Sequence, residues 1–197
     1  MSAARLDEQR QTQAPSAAEQ ATLLRLARES VASHLARTRP VLPAVTGALA
    51  EPRGAFVTLR RRQDGELRGC IGNLVSERPL AETVSRMAVA AASEDPRFPP
   101  LRPEELPEVT IEISVLGPME KVRPEDVEVG RHGLLVSDGR RRGVLLPQVP
   151  LEHGWDRETF LAHTCWKAGL PEDAWRRPEV EILAFTACVF AEAEAQD

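Results

Sequence analysis

Ala55-Phe56-Val57-Thr58-Leu59-Arg60-Arg61-Arg62-Gln63-Asp64-Gly65-Glu66-Leu67-Arg68-Gly69-Cys70-Ile71-Gly72 reads as a β-hairpin. Ala55 to Arg60 carries the aromatic and β-branched residues that suit a pleated, half-buried strand. Asp64-Gly65 is a hairpin turn signal, and Leu67 to Leu74 is the return strand. The pattern D-G-x-x-R-G of Asp64–Gly69 occurs again at Asp138–Gly143, 74 residues further on (138 minus 64). Gly133 to Ser137 is the strand before that second turn and Gly143 to Val149 the strand after it.

Outward from the hairpin, the pattern on the N-terminal side is helical. Ser16-Ala17-Ala18-Glu19 is a capping box, and Leu24, Ala27, Val31 and Leu35 recur at helical spacing. A helix is predicted over Ala17–Ala36, closed by Pro40, with a loop over residues 39–52. On the C-terminal side Pro79 stands at a first helical position. Val84, Met87, Ala88 and Ala91 form an apolar stripe ending near Ser93. Asp95-Pro96-Arg97-Phe98-Pro99-Pro100-Leu101-Arg102-Pro103 is too rich in proline for helix or central strand and reads as a loop. Val109 to Leu116 alternates as a half-buried strand does. Asp156 to Ala168 is helical in pattern, with Asp156 as N-cap and Gly169 as stop, and Val180 to Phe190 reads as one long final strand.

A shift of 74 carries Val109–Leu116 onto Leu183–Phe190 and residues 80–93 onto 154–167. Three elements in register predict internal duplication of a ββαβ unit. Local hairpins without βαβ alternation predict an α+β fold, a mostly antiparallel sheet flanked by helices, and the length leaves room for a small second lobe. The expected organisation is a disordered tail over residues 1–15, one domain over 16–192 with sub-units near 54–117 and 132–191, and a short tail over 193–197.

Composition narrows the functional classes. The 197 residues can bury a core without disulfides or metal. A net charge of −5 disfavours non-specific attraction to nucleic acid or anionic membrane. Tyr is absent, which removes common stacking platforms for single-stranded nucleic acid. Lys occurs only at Lys121 and Lys167, a bias that fits codon usage in a GC-rich bacterial genome. The three cysteines Cys70, Cys165 and Cys188 include no CxxC pair and suit a reducing, cytoplasmic setting. No apolar stretch reaches the ~20 residues of a membrane span, and the polar N-terminus has no signal-peptide core.

The chemistry concentrates in the return strand. Simple alternation places Arg68, Cys70 and Gly72 on one face. Arg68 and Cys70 are then about 7 Å apart, a range at which a guanidinium favours the reactive thiolate. Gly69 and Gly72 leave the backbone bare beside the thiol, open to a substrate, a partner chain or a packed helix. The plainer reading of Cys70 is a small buried apolar group. The second hairpin places Val144 at the position of Cys70, so the turn itself needs no thiol. Asp95 and Arg97 stand in a proline-stiffened loop, either as site groups or as a pair neutralising each other. Glu112 is a candidate general base or a partner for Arg68; a solvent-facing polar row is the alternative. Gln148 is a candidate polar site group at a strand end. Cys165 and Cys188 read as core. His153, His163 and Cys165 match no zinc spacing, so no metal and no cofactor are expected. The runs Arg60–Arg62 and Arg140–Arg142 flank turns, where charge commonly blocks edge-to-edge pairing.

Leu67-Arg68-Gly69-Cys70-Ile71-Gly72 resembles the signature of the AMMECR family, named for a human chromosomal region linked to Alport syndrome with elliptocytosis and midface hypoplasia. Further matches are Asp95-Pro96-Arg97-Phe98, Glu112-Ile113-Ser114-Val115-Leu116, Gly133-Leu134, Leu145-Leu146-Pro147-Gln148-Val149, and the stretch from Phe160-Leu161 to Cys165-Trp166-Lys167-Ala168-Gly169-Leu170. The resemblance spans about residues 20–191. Its bacterial and archaeal branch is similar to protein A of the AmmeMemoRadiSam system. That likeness implies an α+β fold and, as partners, a Memo-like protein of dioxygenase-like fold and a radical SAM protein. It implies no defined reaction. Three functions follow as expectations: an enzyme or enzyme component with a Cys70-centred pocket, a non-catalytic interaction or regulatory module, and an RNA-binding protein.

Overall fold

The computed structural model describes residues 14–193. Most of the expected N-terminal tail and nearly all of the C-terminal one lie outside the described residues; Pro15, inside them, is buried and its carbonyl accepts from Gln20 Nε2 at 2.8 Å. The helices are α1 (Ala17–Leu35), α2 (Leu80–Ser93), α3 (Gln148–Glu152) and α4 (Arg157–Lys167). The strands are β1 (Ala55–Arg61), β2 (Leu67–Asn73), β3 (Val109–Leu116), β4 (Glu120–Lys121), β5 (Gly133–Ser137), β6 (Arg142–Leu145), β7 (Glu181–Phe185) and β8 (Ala187–Ala191). They form two four-stranded antiparallel sheets with flanking helices, an α+β fold, ordered β2-β1-β3-β8 and β4-β7-β5-β6. The chain divides into two compact units, one reaching Leu116 and resuming at Cys188, the other Gly117–Ala187. None of the described helices is long and apolar enough to cross a membrane.

In the first unit, strand alternation sends Val57, Leu59, Ile111 and Ile113 to one face, where all are fully buried. Leu80, Val84, Met87, Ala88 and Ala91 of α2 pack into the same core, as do Leu23, Leu26, Ala27 and Val31 of α1. Each fully buried Val, Leu or Ile side chain among them contributes roughly 1.5–3 kcal/mol. The Ser16–Glu19 capping box forms as the sequence predicts. Gly69 lets α2 approach β2: a Cβ there would stand 2.2 Å from the Ala91 carbonyl oxygen.

The second unit buries Leu134, Val136, Phe160, Leu161, Cys165, Ile182 and Ala184 in its own core. Gly143 repeats the role of Gly69, since a Cβ there would lie 2.3 Å from the Ala168 nitrogen. Turn residues Gly65 and Gly139 both take positive φ, 71° and 87°. The strand orders β2-β1-β3 and β6-β5-β7 match in topology. The spacing is not constant. Leu59 opposes Gly69 and Ile111, whereas Val136 opposes Gly143 and Ile182. The first strands are therefore 77 apart (136 minus 59) and the third 71 (182 minus 111). The likeness is topological, and a single shift of 74 does not map one unit onto the other.

Two expected strands are shorter than the pattern predicts. The return strand after Asp138-Gly139 stops at Leu145, and Gln148 and Val149 belong to α3. Pro147 adopts helical φ −59°, ψ −30° and has no N–H for a ladder. The final strand breaks at Thr186: β7 pairs with β5, and β8 joins the first sheet. The Thr186 carbonyl instead accepts from Gly117 N at 2.8 Å.

Candidate functional site

The alternation of β2 puts Cys70 on the face opposite the helices. It stands across from Thr58, and Thr58 from Glu112, so the three form one row over β2, β1 and β3. The Thr58 hydroxyl donates to Cys70 Sγ at 3.3 Å. Cys70 is half-buried and Thr58 buried. Two strand spacings, about 10 Å, separate Cys70 from Glu112, too far for direct proton transfer. Glu112 pairs with Arg60 at 3.9 Å. Thr58 was not legible as a site residue, because only the cross-strand register places it against the thiol.

The main chain of Cys70 is clamped from the outer edge of β2. Its N–H donates to Asp95 Oδ2 at 2.8 Å, and its carbonyl accepts from Arg97 Nη2 at 3.4 Å. Arg97 also binds Asp95 through Nε at 2.9 Å and Nη2 at 2.7 Å. The Asp95 side chain is only 2% exposed, while that of Arg97 is 55% exposed. The Arg97 guanidinium, together with the Cys70 and Arg97 amides, holds the Asp95 carboxyl well below the usual carboxylate range despite burial. The Asp95–Arg97 pair thus does the work of a neighbouring strand.

Arg68 departs from simple alternation. Leu59 faces Gly69 and Arg60 faces Leu67, so Arg68 has no opposite residue on β1, the pattern of a β-bulge. Its guanidinium binds Glu105 from Nε at 3.1 Å and Nη2 at 3.3 Å, and the Pro99 carbonyl at 3.0 Å. The carboxylate holding Arg68 is therefore Glu105 and not Glu112. Burial alone would raise the Glu105 pKa; hydrogen bonds from Arg68 and Arg102 outweigh it and hold it at about 2. The Arg68 and Arg97 guanidiniums lie 6.0 and 5.6 Å from the Phe98 ring centroid, so Phe98 stands beside both.

The remaining candidates divide. Gly69 serves α2 packing. Gly72 serves Phe56, whose ring occupies the space a Cβ would take, at 2.2 Å. Gln148 lies in the second unit at the start of α3, with a buried Oε1 that has no hydrogen-bond partner among the described residues. Cys165 is core, and burial pushes its thiol pKa up. Cys188 is half-buried on β8 rather than core, near Gln20 Nε2 at 3.8 Å; burial raises its pKa too. His153 and His163 both stack on Trp155, with centroids 4.8 and 3.9 Å away. In the arginine runs, Arg61 pairs with Asp64 and Glu66, Arg62 with Glu192, and Arg141 with Asp138.

The sequence profile of the AMMECR1 family matches residues 24–190. The chain belongs to the AMMECR1 family. It is 48% identical over 183 residues to protein MK0488 of Methanopyrus kandleri, covering 88% of each chain. To protein TK0174 of Thermococcus kodakarensis it is 48% identical over 181 residues, 86% of this chain and 88% of that one. Its structure is similar to that of the uncharacterized protein PH0010 of Pyrococcus horikoshii. The TM-score is 0.80 and the identity 44%, over 87% of this chain and 90% of that one. All three are archaeal. Within this AMMECR1-family chain, Leu67–Gly72 joins the helix packing of Gly69, the bulge at Arg68 and the clamped thiol of Cys70 in six residues.

Proposed function

We propose that this AMMECR1-family protein is an enzyme or enzyme component whose reacting group is the Cys70 thiol, acting with the Memo-like and radical SAM proteins that the family resemblance implies. The observation carrying this reading is that Cys70 is half-buried, with its sulfur hydrogen-bonded by Thr58 and its main chain held by Asp95 and Arg97. A rigidly placed, partly open thiol is suited to attack an electrophile. Thr58 can donate to sulfur as charge develops there. Glu112 reaches the thiol only through Thr58, a water or the substrate.

Brief alkylation with iodoacetamide near neutral pH, read by peptide mass spectrometry, tests this. Cys70 is expected to label ahead of Cys165, and Thr58→Val to change the Cys70 rate with little loss of stability. Labelling of Cys70 only after unfolding would remove the nucleophile. The second reading, a non-catalytic interaction module, draws on a different observation: Arg68, Asp95 and Arg97 are all engaged within the fold. Cys70→Ser separates the two, since it abolishes activity only if the thiol reacts and leaves partner capture intact in either case.

A further inference from the structure

We infer that residues 37–43, in polyproline II form over Arg39–Pro43, are a docking segment for a partner protein whose groove is walled by aromatic rings and flanked by carboxylates. The inference is independent of the Cys70 chemistry. Arg37-Thr38-Arg39-Pro40-Val41-Leu42-Pro43 sets an arginine and two prolines at intervals of three residues. Polyproline II has three residues per turn, so Pro40 and Pro43 share one edge. Proline fixes its own φ and drives the residue before it into extended backbone. Arg39, Pro40, Leu42 and Pro43 are all constrained in this way, and only Val41 between them is not. Residues 38–46 accordingly contain no helix, strand, turn or bend. No main-chain group of residues 39–45 has a hydrogen-bond partner among the described residues, and polyproline II needs none.

The segment shows its apolar side chains to water. Val45 packs on the first core. With three residues per turn Leu42 shares that edge, and the other two edges face outward. The exposures follow: Val41 is 84% exposed and Leu42 47%, Pro43 and Ala44 are exposed, and Pro40 is half-buried where the segment leaves α1. Val41 is the most exposed large apolar residue among the described residues. Apolar side chains on a backbone already extended fit a groove of aromatic rings, because little order is lost on binding.

The charge comes from the end of α1, which closes in a Schellman motif. Arg37 N–H donates to the His34 carbonyl at 3.0 Å and Thr38 N–H to the Ser33 carbonyl at 2.8 Å. Glycine usually fills the left-handed position of this motif. Here it is Arg37, at φ 59°, the one non-glycine residue with positive φ among the described residues. A long side chain kept at a strained position argues that the side chain is used. Neither Arg37 nor Arg39 is in an ion pair among the described residues. No acidic residue occurs between Glu29 and Glu51, and Glu29 is paired with Arg25. This exposed stretch is basic in a chain of net charge −5, so the groove that takes it carries carboxylates.

The test uses as probe a ¹⁵N-labelled SH3 domain that selects Arg-x-x-Pro-x-x-Pro through a carboxylate-flanked groove, titrated with the full chain. Amide shifts confined to that groove are expected. Pro43→Ala should weaken binding about tenfold. Arg37→Gly should weaken it about fivefold at low salt while the thermal midpoint stays the same or rises, since glycine relaxes the left-handed position. Changing the groove carboxylates of the domain to amides should cancel the Arg37 effect. The inference is overturned if the full chain does not bind, including the case where a synthetic peptide of residues 36–45 binds and the folded chain withholds the same segment. Binding that survives Pro43→Ala unchanged also overturns it. So does an Arg37→Gly variant with a lower thermal midpoint and unaltered affinity, which makes Arg37 a helix cap and nothing more.

Discussion

At the residue scale, neighbouring glycines and carboxyls hold the site by different means. Gly69 is required by the backbone of α2, 2.2 Å from any added Cβ, whereas Gly65 has positive φ and open space around it. Gly69→Ala is therefore expected to cost about 3 kcal/mol or more by overpacking, and Gly65→Ala only about 1–2 kcal/mol from its left-handed backbone; urea unfolding gives both. The carboxyls give a pH signature. Asp95 and Glu105 have lower pKa values folded than their ordinary 3.8 and 4.5. The folded state thus binds fewer protons, and their stabilisation is complete above those ordinary values and lost as pH falls through the folded ones. The thermal midpoint should be flat from about pH 7 to 5 and fall below about pH 4.5. Glu105→Gln should shrink that fall. The motif residues were legible one by one, but Glu105 was not, because nothing in Pro103–Glu108 announces that it faces Arg68.

At the element scale, the loop after α2 is an anchored part of the sheet edge. Asp95 and Arg97 grip Cys70, while Pro99 and Glu105 grip Arg68. Arg68→Ala leaves the Glu105 carboxylate to Arg102 alone and removes the hydrogen bond to the Pro99 carbonyl, at about 1–3 kcal/mol. It should raise amide hydrogen exchange over residues 96–102 while the β1–β3 ladder stays protected. Unchanged exchange in that loop would mean that Asp95 alone holds it. The prolines at 96, 99 and 100 showed that this stretch is a loop; which strand it closes required the register of β2. The return strand after Asp138 shows the opposite case, where apolar Leu145-Leu146 reads as strand and Pro147 turns the chain into α3.

At the scale of the whole molecule, two cores support two sheets. Ile113 belongs to the first core and Ile182 to the second. Ile113→Val and Ile182→Val should each cost about 0.5–1.5 kcal/mol and add within about 0.5 kcal/mol in urea unfolding; a larger coupling would mean that the cores share strain. The sequence by itself determined the α+β class, both hairpins, α1, α2 and α4, because periodicity, capping and turn chemistry are local properties of the chain. Only the tertiary structure decided that Val180–Phe190 divides at Thr186 between two sheets, that the two units lack a constant spacing, and that Thr58, Asp95 and Arg97 converge on Cys70. A period-two pattern records which face of a strand is apolar. It does not record which neighbour completes the hydrogen-bonded edge, since that is set by contacts between residues far apart in the chain.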